Sequence, residues 1–552
     1  MFVNKIGPYA NPSETYDYYV LPWCAPSERK IQHRHKTLGE VLHGDHLSNS
    51  AYSIRYLVPV TWQQLCETHL SVNEVKEFKK AIAAQYYFEF FLDDLPVRGF
   101  IGAPDEGQGK DVRYFLFKHL HFTILYNGDR IIHANVSADM HQVQVLEDSD
   151  VVVEFSFSVQ WVKSEVPYAN RMTLFRDTFF DADLEIHWLS ILNSFVLVLL
   201  LTGFVVLILR RVLHSDYDRY ARKAENPDDE IDDSGWKLVH GDVFRMPSQV
   251  ILLSAFCGAG VHLALLALIC IALAVAGYFP FGDTGAVYAT LIMLFAFTSF
   301  FGGMVSAALH RHLRGVAWHW NVVLSSVVFS GPFLAVSLVV NTVSAAYKVT
   351  NTLSVEMMAT LFLIWLLLAF PLAVLGAVAG RRLVGEYTPP LRVSNFVRTI
   401  PAVPFYKSSV VQFLTAGFLP FSAIYIELYY VYLSVWGRNS YTLFGILLLV
   451  AVILLCVTSC MTIAMLYFQL SQEDHQWWWR SFFNGGATSV FVCLYSIYYY
   501  LFRSHMSGFL QTTVYFVYML VASYAFFLVL GTTGFISSFF FVNAIYQNIK
   551  TD

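Results

Sequence analysis

The chain has 552 residues, a formal net charge of −5, 56% hydrophobic residues and only 14% charged ones. A soluble chain of this length carries about a quarter charged residues, so the deficit excludes a wholly water-soluble protein. The near-neutral balance, with no basic patch, excludes nucleic acid as a partner, and seven cysteines without a Cys-x-x-Cys pair give no metal framework.

Residues 1–186 read as ordinary folded protein, dense in Asp, Glu, Lys, Arg and His. Met1-Phe2-Val3-Asn4 lacks the basic segment, apolar stretch and cleavage site of a signal peptide. The expectation is a chain that begins at the mature end of a longer precursor. Tyr86–Phe91, Phe115–Phe117, Phe122–Tyr126 and Val151–Val159 are rich in aromatic and β-branched residues, with breaks such as Asn127-Gly128-Asp129; these are strand patterns. Thr61 to Ala84 reads as a helical interlude. The expected architecture is a β-rich, sandwich-like domain. His33, His35, His43 and His46 lie close together, but Gly44 and Asp45 mark a loop, and no metal or cofactor is expected. Asp93 and Asp94 read as turn residues. With no His-Glu-x-x-His, no Gly-rich phosphate loop and no Gly-x-Ser-x-Gly elbow, no enzymatic activity is expected.

From Trp188 onward, apolar runs succeed one another, each long enough to cross about 30 Å of hydrocarbon. Nine spans are predicted, at 188–209, 250–278, 286–309, 318–343, 357–380, 411–436, 441–470, 482–502 and 512–541. The second domain is therefore 187–552, an all-α nine-helix bundle with a polar loop at 210–249 and a short tail. Arg210, Arg211, Arg219, Arg222, Lys223, Lys237 and Arg245 fill the first connector. Arg311 and Arg314 lie in the third, and Arg381, Arg382, Arg392, Arg398 and Lys407 in the fifth. The alternate connectors hold only Lys348, Arg438 and Arg503. Positive charge stays in the cytosol, so residues 1–186 are expected in the lumen and the C-terminus in the cytosol. In an oxidising compartment a Cys24–Cys66 disulfide and two free buried thiols are equally open readings. Asn135-Val136-Ser137 becomes a candidate N-glycosylation site.

Within the spans, Glu427 is costly in hydrocarbon and should face protein or water. It is either a polar contact for another helix, a proton or ion site, or a structural hydrogen-bond partner. Pro420 and Gly417 precede it, and Pro332 and Pro371 interrupt other spans; such breaks expose backbone carbonyls that need partners. Gly376-x-x-x-Gly380 and Gly302-x-x-x-Ser306 have the spacing of close helix packing. They serve either the bundle itself or a client helix.

Several segments, in order along the whole chain, resemble the transmembrane 9 superfamily, also called the nonaspanins or endomembrane protein 70 family. They are Gly7-Pro8-Tyr9, Asn11-Pro12 and Glu14-Thr15-Tyr16, then Lys36-Thr37-Leu38-Gly39-Glu40-Val41-Leu42, Tyr87-Phe88-Glu89 and Tyr126-Asn127-Gly128-Asp129-Arg130-Ile131. Gly235-Trp236-Lys237-Leu238-Val239-His240-Gly241-Asp242-Val243-Phe244-Arg245, Leu419-Pro420-Phe421 to Tyr429, and Glu473-Asp474-His475-Gln476-Trp477-Trp478-Trp479 follow. The Trp run is heavier than the family pattern. The resemblance implies a Golgi or endosomal membrane protein that recognises Gly-rich or polar spans of client membrane proteins and supports their sorting and delivery. It also implies that Lys550-Thr551-Asp552 engages the COPI coat as a retention signal. Competing readings are a secondary transporter or channel built around Glu427 and a lumenal cargo receptor.

Overall fold

The computed structural model describes the chain except residues 27–30, 35–36, 94, 106–111, 140, 172–191, 222–234, 280–283, 403, 438–443 and 548–552, together with 193–194, 197–198, 201, 208–209, 212, 215–216 and 219–220. Half of the predicted span 188–209 lies outside the described residues, as do Asp94, Arg438, Lys550 and Asp552.

The N-terminal part is β-rich. β1 (Phe2–Pro8) lies between β2 (Tyr16–Asp17) and β5 (Tyr86–Leu92), with β6 (Leu95–Phe100) beyond β5 and β3 (Ser48–Asn49) on β1. A second sheet runs in the order β10 (Arg130–Ala138), β9 (His119–Asn127), β12 (Val151–Lys163), β4 (Val60–Leu70). β7 (Gly102–Asp105), β8 (Arg113–Phe117) and β11 (Val143–Leu146) make a third, small sheet. Val3, Phe88 and Phe90 of the first sheet and Phe122, Phe155 and Phe157 of the second share one core with Val75, Phe78 and Ile82 of helix α2 (Val72–Ala83). The helix starts at Ser71, whose N–H donates to Glu74, the N3 residue that makes a capping box.

The helical interlude expected from Thr61 to Ala84 is thus half strand. β4 pairs antiparallel with β12 from Val60↔Val159 to Leu70↔Val151, with register shifts at Phe155/Ser156 and Phe157/Val159. Each bulge moves the following residues to the other face, which breaks the period-two pattern and leaves a helix-like spacing. Cys66 of β4 is joined to Cys24 by a disulfide, with Cα atoms 5.8 Å apart. Beside it Trp23 packs on Tyr18, Phe78 and Phe155.

Among the described residues, eight helices are long and apolar enough to cross a membrane: α3 (Val250–Val275), α4 (Gly285–His312), α5 (Trp318–Ala346), α6 (Val355–Leu383), α7 (Ser409–Trp436), α8 (Phe444–Ser471), α9 (Trp477–Phe502) and α10 (Phe509–Gln547). They coincide with predicted spans two to nine, with later or earlier ends. α9 begins at Trp477, not 482, and α10 runs to Gln547, not 541. Hydropathy marks only the apolar stretch, while a helix continues wherever its polar ends find packing partners. α3 is packed by α4, α5, α8 and α10; α6 lies on α4, and α7 lies on α8 and α9.

The β-rich domain sits on one end of this bundle. α1 (Leu38–Leu42) crosses the start of α4 so closely that a Cβ on Gly39 would stand 1.9 Å from the Gly285 carbonyl oxygen. Thr350, between α5 and α6, donates its N–H to Thr15 O at 2.8 Å. Ser13 N–H donates to Gln511 Oε1 at 3.0 Å. The segment Asn11–Tyr16 therefore docks onto two interhelical connections.

Candidate functional site

Two seams inside the bundle carry the polar residues. In the first, between α3, α4 and α5, Ser254 Oγ donates to Asn321 Oδ1 at 2.7 Å, and Asn321 Nδ2 donates to Ser306 Oγ at 3.0 Å. All three are buried. Farther along α3, His262 Nε2 lies 2.9 Å from the Phe295 carbonyl oxygen. A carbonyl only accepts, so Nε2 carries the hydrogen and Nδ1 is the acceptor of the neutral ring. Ser299 donates to the Ala369 carbonyl of α6 at 2.8 Å. Ala369 ends a π-helical turn, Trp365–Ala369, just before Pro371. The ring of Pro371 has no N–H to give the helix, and widened turns of this kind recur at functional sites.

His262, Ser299 and the π turn border a cavity of about 20 Å³, lined also by Gly302, Ser325 and Ser326. That is room for about one water, with hydroxyl and imidazole partners at hand. Gly302 is required here, because a Cβ would come within 2.8 Å of the His262 Cβ. Gly376 and Gly380 lie along the same side of α4: a Cβ on either would meet the Phe300 or Met304 carbonyl oxygen at 1.9 and 2.1 Å. Of the glycines singled out in the sequence, Gly302 of α4 therefore faces α3, while Gly376 and Gly380 of α6 face α4, so the chain's own helices occupy these contacts.

Glu427, Pro420 and Gly417 belong to the second seam. All three face inward from α7, and Gly417 abuts Ala487, where α9 bends. Between α7, α9 and α10 runs a ladder of tyrosines. Tyr432 packs on Tyr495 and Tyr499 with centroids at 5.5 and 5.3 Å. Tyr515 donates to Ser496 O at 2.7 Å. The glutamate itself is buried on α7. His262, Asn321 and Ser254 were not singled out from the sequence; the argument that flagged Glu427, a polar side chain in an apolar run, applies to each.

On the end of the bundle away from the β-rich domain, segments 230 residues apart interlock. Trp477, Trp478 and Trp479 donate their indole N–H groups to Val243 O, Arg245 O and Ser248 O at 2.9, 2.9 and 2.8 Å. Asp242 pairs with Arg245 at 2.6 Å, and Arg398 with Glu473 at 2.7 Å. Burial pushes the Asp242 carboxyl up, but hydrogen bonds from Arg245 and the Arg398 N–H hold it below its ordinary range. The heavy tryptophan run is the clamp that holds the 235–249 segment beneath the helices. In the N-terminal domain Asn135 is half-buried on β10 opposite Thr123, not in a loop.

A family model described as Endomembrane protein 70 matches residues 15–509. The chain is similar over its full length to Transmembrane 9 superfamily member 4 of Arabidopsis thaliana, at 43% identity over 93% of that protein. It is 44% identical to member 2 of the same plant, over 94% of that protein. It is also 44% identical to member 1 of Mus musculus, over 93% of that protein. No solved structure matches the chain.

Proposed function

The chain belongs to the endomembrane protein 70 family, the transmembrane 9 superfamily, and from that premise we propose that this multi-pass membrane protein binds transmembrane segments of client membrane proteins in Golgi and endosomal membranes and supports their sorting. In this reading the β-rich domain is lumenal, the clamp of Trp477–Trp479 faces the cytosol, and Lys550 and Asp552 engage the COPI coat. The cations support that orientation, because Arg311, Arg314, Arg381, Arg382, Arg392, Arg398, Lys407 and Arg480 all lie at or beyond helix ends opposite the β-rich domain.

The observation that carries the proposal is the polar cavity beside α6. The first turns of α6, Val355–Ile364, bury no residue, and the π turn that follows borders His262 and Ser325. A client helix lying along the open turns would bring a glycine backbone or a polar side chain to those groups. Binding of this kind turns nothing over and needs no cofactor.

Quantitative cell-surface and Golgi proteomics after deletion tests it, with rescue by wild type, His262→Phe or Glu427→Gln. The expected result is selective loss from the surface of proteins with Gly-rich or polar spans, restored by wild type. Failure of one variant at normal abundance assigns the work to its seam. An unchanged surface proteome overturns the proposal.

A further inference from the structure

The connector between α6 and α7 is held in an unusual way. The described residues of 384–408 contain no regular element beyond one short turn at Phe405–Lys407, yet the segment is pinned at several points. Tyr387 is buried and its hydroxyl donates to Asn543. Ser394 N–H donates to Gly241 O at 2.7 Å, and Arg398 N–H donates to Asp242 Oδ2 at 3.1 Å. Leu391 packs inward between the first two pins, but the described apolar side chains that follow it are exposed. Phe396 is 86% exposed, Phe405 83% and Tyr406 67%. Val393, Val397 and Ile400 are also exposed.

An exposed phenylalanine on a pinned backbone is costly in water, because its ring stays hydrated where burial in an apolar phase would be favourable. The segment's ends are the ends of two spans, Leu383 and Ser409, which keeps it near the boundary where aromatic residues gather in membrane proteins. The cations match. Arg382, Arg392 and Lys407 are exposed, and none has a carboxylate partner among the described residues. The connector's lone acid, Glu386, faces Arg314 at 3.8 Å. Basic side chains interleaved with exposed aromatics fit a surface that is apolar below and anionic above.

We propose that residues 392–407 form a lipid-docking strap. Phe396, Phe405 and Tyr406 enter the boundary of the adjacent leaflet, and Arg392 and Lys407 bind anionic phospholipid headgroups. The strap is tied through Ser394 and Arg398 to the 235–249 segment and so to the tryptophan clamp. Lipid composition at that face is therefore coupled to the packing of α9 and α3.

The test uses the full chain in nanodiscs, with a bimane label on Phe396→Cys. Quenching by brominated lipid tails is compared with quenching by aqueous iodide, in phosphatidylcholine alone and with added phosphatidylserine. The expected result is strong quenching by brominated lipid, protection from iodide, and a further rise with phosphatidylserine. That increment is lost in Arg392→Gln/Lys407→Gln while the helix content is unchanged. A label open to iodide in both lipid mixtures overturns the proposal and makes the patch a docking face for a protein. Insertion with no dependence on phosphatidylserine overturns the headgroup assignment. The same measurement with Phe405→Cys guards against a defect peculiar to position 396.

Discussion

Asn11 and Ser507 stand 496 positions apart and exchange two hydrogen bonds: the Asn11 carboxamide donates to Ser507 O at 2.9 Å and accepts from Ser507 N–H at 3.0 Å. A single side chain thus completes the backbone of the α9–α10 connection as a neighbouring strand would, and it ties the β-rich domain to the bundle. Asn11→Ala removes two hydrogen bonds to the exposed Ser507 backbone, each worth about 0.5–1.5 kcal/mol. The expected outcome is a lower unfolding temperature and faster proteolysis at Ser504–Gly508 in the purified full-length protein. Unchanged cleavage would show that the connection is held without Asn11.

The tryptophan clamp separates ring packing from the indole N–H. Trp477 and Trp478 are buried, and Trp479 is half-exposed. Trp477→Phe keeps an aromatic ring and deletes the donor to Val243 O, which should cost on the order of 1 kcal/mol. Trp477→Ala should cost about 3–5 kcal/mol. Trp479→Ala should be milder than Trp477→Ala. Thermal unfolding of the three variants checks the ranking, and equal losses at 477 and 479 would contradict it.

Gly376 and Gly385 provide a matched pair. A Cβ on Gly376 would stand 1.9 Å from the Phe300 carbonyl oxygen, whereas a Cβ on Gly385 meets nothing within 4 Å. Gly376→Ala must push α6 away from α4 and should cost about 1–3 kcal/mol. Gly385→Ala should be nearly silent. Detergent-solubilised unfolding temperatures and expression levels are the readout.

A buried ionic cluster in the β-rich domain predicts an acid limb. Lys5 lies 3.2 Å from Asp45, His43 Nδ1 lies 2.9 Å from the same carboxylate, and Arg98 lies 3.0 Å from Glu89. Burial raises both carboxyls. The His43 hydrogen bond and the Lys5 charge outweigh it at Asp45, and the charges of Arg98 and Lys5 outweigh it at Glu89, so both end below their ordinary range. A carboxyl lowered on folding adds stability that is fully present above its unfolded value of about 4. That stability is lost as the pH falls through the folded value. Stability should hold from about pH 7 to about pH 5 and fall below about pH 4. Asp45→Asn should lower stability near neutrality, because it removes the carboxylate 3.2 Å from the buried Lys5 and leaves that ammonium the His43 carbonyl and the charge of Glu89, and should flatten the acid limb. An acid limb of unchanged steepness in Asp45→Asn would remove this cluster as its source.

The Cys24–Cys66 bridge closes a loop with a sequence separation of 42, for which chain entropy suggests about 4 kcal/mol. Cys24→Ala/Cys66→Ala should unfold at a distinctly lower temperature and become insensitive to reductant. Wild type should shift on reduction. A wild type indifferent to reductant would count against the bridge.

The sequence by itself determined the β-rich class of the first part, the membrane class of the second and the approximate places of the spans. Apolar runs and alternating patterns are local properties, summed over neighbours in the chain, and need no knowledge of distant partners. Even so, the register shifts at Phe155/Ser156 and Phe157/Val159 hid nearly all of β4, because the pairing that creates its pattern lies on β12. A glutamate, a histidine or a glycine in a span announces that it needs a partner but does not say which. It took the packing of the helices to show that Glu427 is buried, that His262 and Gly302 share a cavity, and that Gly376 and Gly380 pack on α4. The same holds for Trp477–Trp479 with Val243–Ser248, and for Asn11 with Ser507. Each joins groups hundreds of residues apart, and their hydrogen bonds are set by the approach of whole helices, a geometry that no local pattern encodes.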